Sequence, residues 1–246
     1  MPKFFVDPSS INDTYIFITG EDVNHITKVL RLSLNDIIII CDGQGNDYKA
    51  AIDEIGRKEV KARILERTVS KSEPDIQVVL FQGLPKSDKM EYIIQKTTEL
   101  GVSEIVPVIT KRTVVKINDK KAEKNKLERW QKIAVEAAKQ SNRGRIPYVS
   151  PPVLFDRAIE LMKEADLRIM PYEKETTNPL KDVLVNKTGI KKIGIFIGPE
   201  GGFDDEEVEK ACESGIDTVT LGPRILRTET AGVAVLSIVM YQYECI

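Results

Sequence analysis

Five short apolar segments recur after residue 75, and longer stretches with helical periodicity separate them. The segments cover residues 76–81, 104–109, 167–170, 192–197 and 218–221. Strands that alternate with helices pair in parallel, and helices cover both faces of the resulting sheet. The sequence therefore predicts an α/β domain with a parallel sheet in this part of the chain.

The first 70 residues have a different pattern, in which short alternating apolar runs are interrupted by turn signals. Such runs at 15–19, 36–52 and 59–66 predict a small β-rich domain. Within the second run, DGQGN at 42–46 predicts a hairpin turn, because glycine adopts a positive φ without strain.

The polar segment at 68–75 (TVSKSEPD) contains a proline and separates the two patterns. We therefore predict two domains, a β-rich domain over 1–72 and an α/β domain over 73–246.

Helices are predicted where apolar residues recur at helical spacing between residues typical of helix ends. They cover about 21–30, 87–100, 123–142, 204–214 and 229–243. The side chains of Ser87 and Asp88 are expected to accept N–H groups at the start of their helix, and DDEE at 204–207 resembles a capping box. Trp130 is expected in the core. The last helix is rich in apolar residues, which predicts burial in the core or in a dimer interface.

The net charge of −2 hides an uneven distribution of charged residues. Residues 111–145 contain twelve Lys and Arg against four Asp and Glu, a local charge of +8. A basic patch on a nearly neutral protein suits contacts with nucleic-acid phosphates. A solvated helix face is an equally weighted alternative for this segment.

The few cysteines and the single histidine exclude several kinds of site. Cys41, Cys212 and Cys245 are far apart, so they provide neither a disulfide framework nor a CxxC zinc site. His25 alone cannot supply a metal site that needs two imidazoles. No metal site is expected. No apolar stretch is long enough for a membrane span, and the first residues do not resemble a secretion signal, so we expect a cytoplasmic protein.

Two glycine-containing loops directly follow predicted strands, where ligands bind in open parallel sheets. They are GPEGG at 198–202 and LGPRILRTETAG at 221–232. On its own, GPEGG is more simply explained by a tight strand-to-helix turn. The sequence contains no P-loop, no GxGxxG at the first strand-to-helix unit and no GxSxG, which disfavours the enzymes that use those motifs.

Together with GLPKSDKMEYIIQKTTELGV at 83–102, RWQKIAVEAAKQSNR at 129–143 and HITKVLRL at 25–32, these loops closely resemble the RsmE family. The resemblance covers nearly the whole chain. Members are SPOUT-type methyltransferases that modify N3 of a uridine in 16S (small-subunit) ribosomal RNA. The resemblance implies a deep trefoil knot in the C-terminal domain, a PUA-like barrel before it, S-adenosyl-L-methionine as cofactor and a homodimer. It also implies small-subunit ribosomal RNA, or the assembled small subunit, as the partner.

The resemblance places the cofactor in three loops of the C-terminal domain. The implied cofactor-binding residues are Met170, Pro171, Tyr172, Gly198, Pro199, Glu200, Gly201, Gly202, Leu221, Gly222, Ile225, Leu226, Arg227, Thr228 and Thr230. Backbone groups of these loops are expected to bind the adenine and ribose, and Ile225 and Leu226 to pack against the adenine ring.

Uridine N3 is protonated at neutral pH, so the site must favour the anionic base in the transition state. We hypothesise that Arg227 or Arg143 stabilises the charge on the uracil oxygens and that Glu229 or Glu200 accepts the proton. A loop-stabilising ion pair is the alternative reading of Arg227 and Glu229.

Contacts with RNA are expected from basic residues of both domains. The candidates are His25, Arg31, Lys86, Arg112 and Arg143. Two other functions stay open: a non-catalytic RNA-binding or ribosome-assembly factor, and a SPOUT methyltransferase that acts on another RNA. A small-molecule methyltransferase would leave the basic segment and the extra domain unexplained.

Overall fold

A computed structural model describes residues 1–115 and 119–244. Lys116 of the basic segment and Cys245 lie outside the described residues. The chain forms two compact units. The first contains Met1–Glu73 and Ala138–Ile146, and the second contains Pro74–Ala137 and Pro147–Ile246. The segment Ala138–Ile146, which the sequence prediction assigned to the second domain, thus groups with the first unit.

The first unit is built on a five-stranded sheet with the strand order β1-β3-β4-β5-β2. Its strands are β1 Lys3–Phe5, β2 Tyr15–Thr19, β3 Ile37–Cys41, β4 Asn46–Ile55 and β5 Glu59–Val69. β1 pairs in parallel with β3, and the other pairs are antiparallel. Alternate residues such as Ile16, Ile18, Ile38 and Ile40 are fully buried, which is the period of two expected for a sheet with one covered face.

The turn and the helix predicted for this unit are both confirmed. The β3–β4 hairpin turns through Gly43 and Gly45, whose φ values are +69° and +101°. The predicted helix at 21–30 consists of α1, Glu21–Asn24, followed by one π-helical turn, His25–Val29. A single 3-10 turn, Pro8–Ser10, precedes β2.

A buried ion pair ties the segment Ala138–Ile146 into the first unit. Arg143 is 3% exposed, and its Nη2 lies 2.7 Å from Oε2 of Glu73. Oε1 of Glu73 accepts hydrogen bonds from the backbone N–H groups of Gly144 and Arg145 at 2.7 and 2.9 Å. One carboxylate therefore binds the guanidinium and accepts two backbone hydrogen bonds.

The second unit is built on a parallel sheet with the strand order β12-β10-β11-β6-β7-β8, and β9 also pairs with β7. Its strands are β6 Gln77–Gly83, β7 Glu104–Ile109, β8 Tyr148–Val149, β9 Val153–Leu154, β10 Leu167–Pro171, β11 Lys192–Ile197 and β12 Asp217–Val219. Its helices are α2 Lys89–Glu99, α3 Lys120–Gln140 (which ends in the first unit), α4 Phe155–Met162, α5 Leu180–Val185, α6 Asp205–Glu213 and α7 Thr228–Glu244. The predicted parallel α/β fold is confirmed, and the trefoil knot stays a prediction.

Two apolar clusters cover the sheet of the second unit. One contains buried side chains of α2, α3, α5 and α7, including Trp130 at 6% exposure, which confirms its predicted place in the core. The other contains side chains of α4 and α6 around Phe196. α7 buries Val235, Leu236 and Met240 but exposes Tyr241 at 71%. No helix among the described residues is long and apolar enough to cross a membrane.

The helix ends agree with the sequence prediction at α6 but not at α2. Asp204 and Glu207 form the predicted capping box, in which Glu207 accepts a bond from the Asp204 N–H. The predicted cap at α2 is wrong, because the Asp88 side chain makes no cap hydrogen bond. Ser87 adopts a φ of +55°, and α2 starts with turn bonds to the backbone oxygen of Asp88 instead.

We predict that Arg143→Ala lowers the free energy of unfolding by on the order of 3 kcal/mol, because it leaves the Glu73 carboxylate without its buried cation. Arg145→Ala, at the exposed neighbour, is the matched control and is expected to cost less than about 1 kcal/mol. Urea denaturation of both variants measures the difference. If both variants lost the same free energy of unfolding, the buried Arg143–Glu73 pair would not contribute to stability.

Candidate active site

The candidate site lies where four parallel strands of the second unit end. β12, β10, β11 and β6 are consecutive neighbours in the sheet, so the loops that follow them start at one edge. Crevices at this edge are where open parallel sheets bind their ligands. Two of these loops are the glycine-containing loops at 198–202 and 221–232, and a third begins at Tyr172.

The loops after β6 and β11 approach each other at backbone distance. A Cβ atom on Gly83 would lie 2.6 Å from both N and Cδ of Pro199. No side chain fits in that space, since Cβ contacts under 3.0 Å essentially do not occur. Glycine at position 83 is therefore required for the two loops to meet.

A buried hydrogen-bond chain connects these loops to the start of α7. The Nε2 of Gln82 donates to Oγ1 of Thr228 at 2.9 Å, and Thr228 donates to the Gly198 carbonyl at 2.6 Å. Gln82 is fully buried, and its Oε1 accepts no hydrogen bond within the described residues. These hydrogen bonds hold together the end of β6, the loop after β11 and the start of α7, which are distant in sequence.

A lysine at the first position of α2 joins two of the candidate carboxylates. Nζ of Lys89 lies 3.2 Å from Oε1 of Glu200 and 3.2 Å from Oε2 of Glu229. The backbone N–H of Lys86 also donates to Oε1 of Glu200 at 3.0 Å. The candidates Glu200 and Glu229 are thus brought together, although 29 positions separate them in the sequence.

The surroundings favour the ionised forms of Lys89 and Glu200. Burial acts to lower the pKa of Lys89, but the two carboxylates outweigh it and raise the pKa. Burial acts to raise the pKa of Glu200, but bonds from its own N–H, from the Lys86 N–H and from Lys89 outweigh it and lower the pKa. At neutral pH both of these groups are charged.

Another carboxylate fastens the segment after β10 to β12. Oε1 of Glu175 accepts bonds from the N–H and hydroxyl of Thr177 and from the N–H of Asn178, and Oε2 accepts from the Thr218 hydroxyl. Led by the two bonds from Thr177, these donors lower the pKa of Glu175 to about 2. This segment is therefore held most firmly when Glu175 is ionised.

The predicted RNA contact Arg112 lies beside the loop after β11. Its Nη1 donates to the Gly201 carbonyl at 3.0 Å, and its Nη2 lies 3.6 Å from Oδ2 of Asp204. The side chain keeps 40% exposure. Arg112 therefore stabilises the loop and still presents part of its guanidinium to solvent.

The remaining predicted cofactor residues differ in exposure. Met170 is fully buried in the core, whereas the side chain of Ile225 is 87% exposed. Tyr172 donates its hydroxyl to Asp205 at 2.8 Å. Arg227 is exposed, and within the described part of the chain no group pairs with its guanidinium. Its carbonyl accepts the first backbone bonds of α7, including one from Thr230.

The other predicted RNA contacts also differ in exposure. His25 and Arg31 of the first unit are exposed, as is Lys86 of the second unit. Arg143 is buried against Glu73, so its guanidinium does not lie on the surface.

Two residues of the site were missed by the sequence analysis. Lys89 lies inside the segment at 83–102 that carried the family resemblance, but its partners are more than 100 residues away. Gln82 had a local signal that was overlooked: it is a polar residue that directly follows the four apolar residues 78–81 of β6. A buried polar group at such a place needs a specific partner.

Comparison with known proteins first defines the class. A family model described as an RNA methyltransferase domain matches residues 71–240, and one described as an RNA methyltransferase PUA domain matches residues 18–65. Both models describe parts of RNA methyltransferases, and they match the two regions that differ in sequence pattern.

Relatives of nearly the same length define the family. The ribosomal RNA small subunit methyltransferase E of Bacillus subtilis is 39% identical, covering 99% of this chain and 98% of that protein. The Synechocystis enzyme of the same name is 31% identical, with coverages of 96% and 76%. A crystal structure is known of the Neisseria gonorrhoeae enzyme bound to S-adenosyl methionine. Its chain is 30% identical in sequence to this one and superposes with a TM-score of 0.84, and the match covers 99% of this chain and 98% of that chain. The chain belongs to the RsmE family.

We predict that Gly83→Ala destabilises the protein by about 1–3 kcal/mol, because the added methyl group must push Pro199 and its backbone away. Gly194→Ala, in β11, is the matched control. The tightest contact of its methyl group would be the flexible end of the Met162 side chain, at 3.0 Å, and not backbone. Chemical denaturation compares the two. A Gly83→Ala loss no larger than that of the control would contradict the close approach.

We predict that Glu175→Gln destabilises the protein by on the order of 1–2 kcal/mol at pH 7, since the hydrogen bonds lose their charged acceptor. The folded-state pKa is depressed to about 2 from an ordinary 4.5, so this stabilisation is complete above pH 4.5 and is lost as the pH falls toward 2. Urea titrations from pH 7 to pH 3 measure the gap between variant and wild type, which should shrink below pH 4.5. A stability difference that does not change with pH would refute the role of ionised Glu175 as a hydrogen-bond acceptor in the folded state.

Proposed function

We propose that the protein transfers a methyl group from S-adenosyl-L-methionine to N3 of a uridine in 16S ribosomal RNA. The observation that carries the proposal is the arrangement around the start of α7. Arg227, a guanidinium without a partner among the described residues, stands two positions before Glu229, which lies in the Lys89 cluster. Family membership supplies the substrate class.

The loops at the strand ends suit the cofactor. The segments 198–202 and 221–230 offer backbone donors and acceptors, and the exposed side chain of Ile225 offers an apolar surface to an adenine ring. The buried Oε1 of Gln82, which lacks a hydrogen bond, shows that this edge holds polar capacity that the described residues do not satisfy. When bound, S-adenosyl-L-methionine supplies a methyl group activated by a sulfonium.

The side chains of the site suit the proton chemistry. As N3 of uridine loses its proton, negative charge develops on the uracil oxygens, and a fixed guanidinium stabilises it. Arg227 is the candidate for this role. Arg143 is not, because its guanidinium is buried against Glu73. Glu229 or Glu200 accepts the proton.

The proposed partner is the small-subunit ribosomal RNA or the assembled subunit, met in the cytoplasm. Support comes from α3, which exposes several cations suited to phosphate contacts. They are Lys120, Lys121, Lys124, Lys126, Arg129 and Lys132. We also propose a homodimer, supported by Ile238 and Tyr241 of α7, which are 44% and 71% exposed.

We predict that Arg227→Ala lowers the rate of methyl transfer to unmodified small ribosomal subunits at least 100-fold, because the transition-state charge loses its cation. The fold is expected to be unchanged, as judged by thermal unfolding. Arg157→Ala, which removes an exposed arginine from α4, is the matched control and should transfer at the wild-type rate. Undiminished transfer by Arg227→Ala would remove this residue from the mechanism.

A further inference from the structure

Lys89, Glu200 and Glu229 form a cluster with one more negative charge than positive charge. A single ammonium lies 3.2 Å from each of two carboxylates. With all three groups ionised, the cluster carries a charge of −1, and uptake of one proton makes it neutral. Such a cluster at a ligand-binding edge is suited to accept a proton from a bound group.

The two carboxylates differ in how many donors they already satisfy. Oε1 of Glu200 accepts the Lys86 N–H at 3.0 Å besides its contact with Lys89. Oε2 of Glu229 lies 3.2 Å from Lys89 Nζ and is a buried atom that accepts no hydrogen bond from the described residues. Because Oε2 is buried, the 18% exposure of the Glu229 side chain belongs to its other atoms. Glu229 thus has more unsatisfied acceptor capacity than Glu200.

Glu229 lies next to the proposed charge-stabilising residue. It lies in the first turn of α7, where the helix dipole favours a carboxylate, and Arg227 is two residues away. Of the segments around it, α2 contributes Lys89 and the loop after β11 contributes Glu200. Within the described residues, α5, β6 and β11 place no charged side chain in contact with Glu229.

We infer that Glu229 is the catalytic base of the methyl transfer and that Lys89 and Glu200 are positioning residues for it. The inference rests on the proposed function. The N3–H bond of uridine breaks, and the proton passes to the Glu229 carboxylate. The electron pair on N3 forms the bond to the methyl carbon as the methyl–sulfur bond breaks, and that pair stays on sulfur. The sulfonium charge and the Glu229 charge disappear together.

The test is single-turnover transfer of a labelled methyl group from S-adenosyl-L-methionine to unmodified small ribosomal subunits between pH 6 and pH 9. We expect Glu229→Gln to be about 100- to 10,000-fold slower than wild type. Its residual rate should rise about tenfold per pH unit, because N3 must then ionise without a base. Cofactor affinity, measured by calorimetry, should stay within about threefold. For comparison, Glu200→Gln changes a positioning residue and not the base, so it should slow transfer by less than about tenfold.

Lys89→Met tests the positioning role through the pH profile. Without the ammonium, the like charges of Glu229 and Glu200 are no longer compensated, which opposes having both carboxylates ionised. The acidic limb of the rate profile should therefore move to higher pH. A role in structure alone would lower the amount of folded enzyme without moving this limb, and an unmoved limb overturns the assignment of Lys89.

The outcomes separate the inference from the proposed function. If wild type transfers no methyl group, the function is wrong and the inference fails with it. If wild type is active and Glu229→Gln stays within tenfold of it, or Glu200→Gln is the slower variant, only the inference is overturned. Should Glu229→Gln fail to fold, Glu229→Asp replaces it. That variant keeps a carboxylate and should keep the wild-type profile shape, so a rate that rises tenfold per pH unit would overturn the inference.

Discussion

The parallel pairing of β11 with β6 is the constraint on which the rest of the site depends. Six residue pairs, from Lys192 with Gln77 to Ile197 with Gln82, join strands that lie more than 100 positions apart. In this register the two strands end side by side. Gly83 therefore lies next to Pro199, and Lys89 at the start of α2 lies next to Glu200 in the loop after β11. A parallel ladder also needs covered faces, which the two apolar clusters provide.

Parts of this structure that depend on local pattern were predictable from the sequence. β7 and β11 match their predicted limits at both ends because each consists of one charged residue followed by five residues without a charged or polar side chain. α4 and α5 were not predicted: α4 begins after Leu154 and α5 after Pro179, and neither has a side-chain cap to mark its start. Their amphipathic segments are only eight and six residues long, too short to be distinguished from loops by periodicity.

The candidate site was predictable as a set of loops but not as a set of contacts. Glycines and prolines after apolar strands marked the loops at 198–202 and 221–232. The partners of Lys89 depend on sheet order, which no local pattern contains. Arg143 shows the converse: a basic residue after a helix suggests a surface cation, and only its contact with Glu73 reveals a structural role.

The division of the chain has a consequence for how this protein can be taken apart. The backbone passes between the two units three times, after Glu73, after Ala137 and after Ile146. The unit that contains the RNA-methyltransferase PUA match is therefore completed by nine residues, Ala138–Ile146, that directly follow the Pro74–Ala137 segment of the other unit. A fragment that stops near residue 72 would lack Glu73 and Arg143 together. Modular exchange of this region between family members would require two coordinated transplants rather than a single cut.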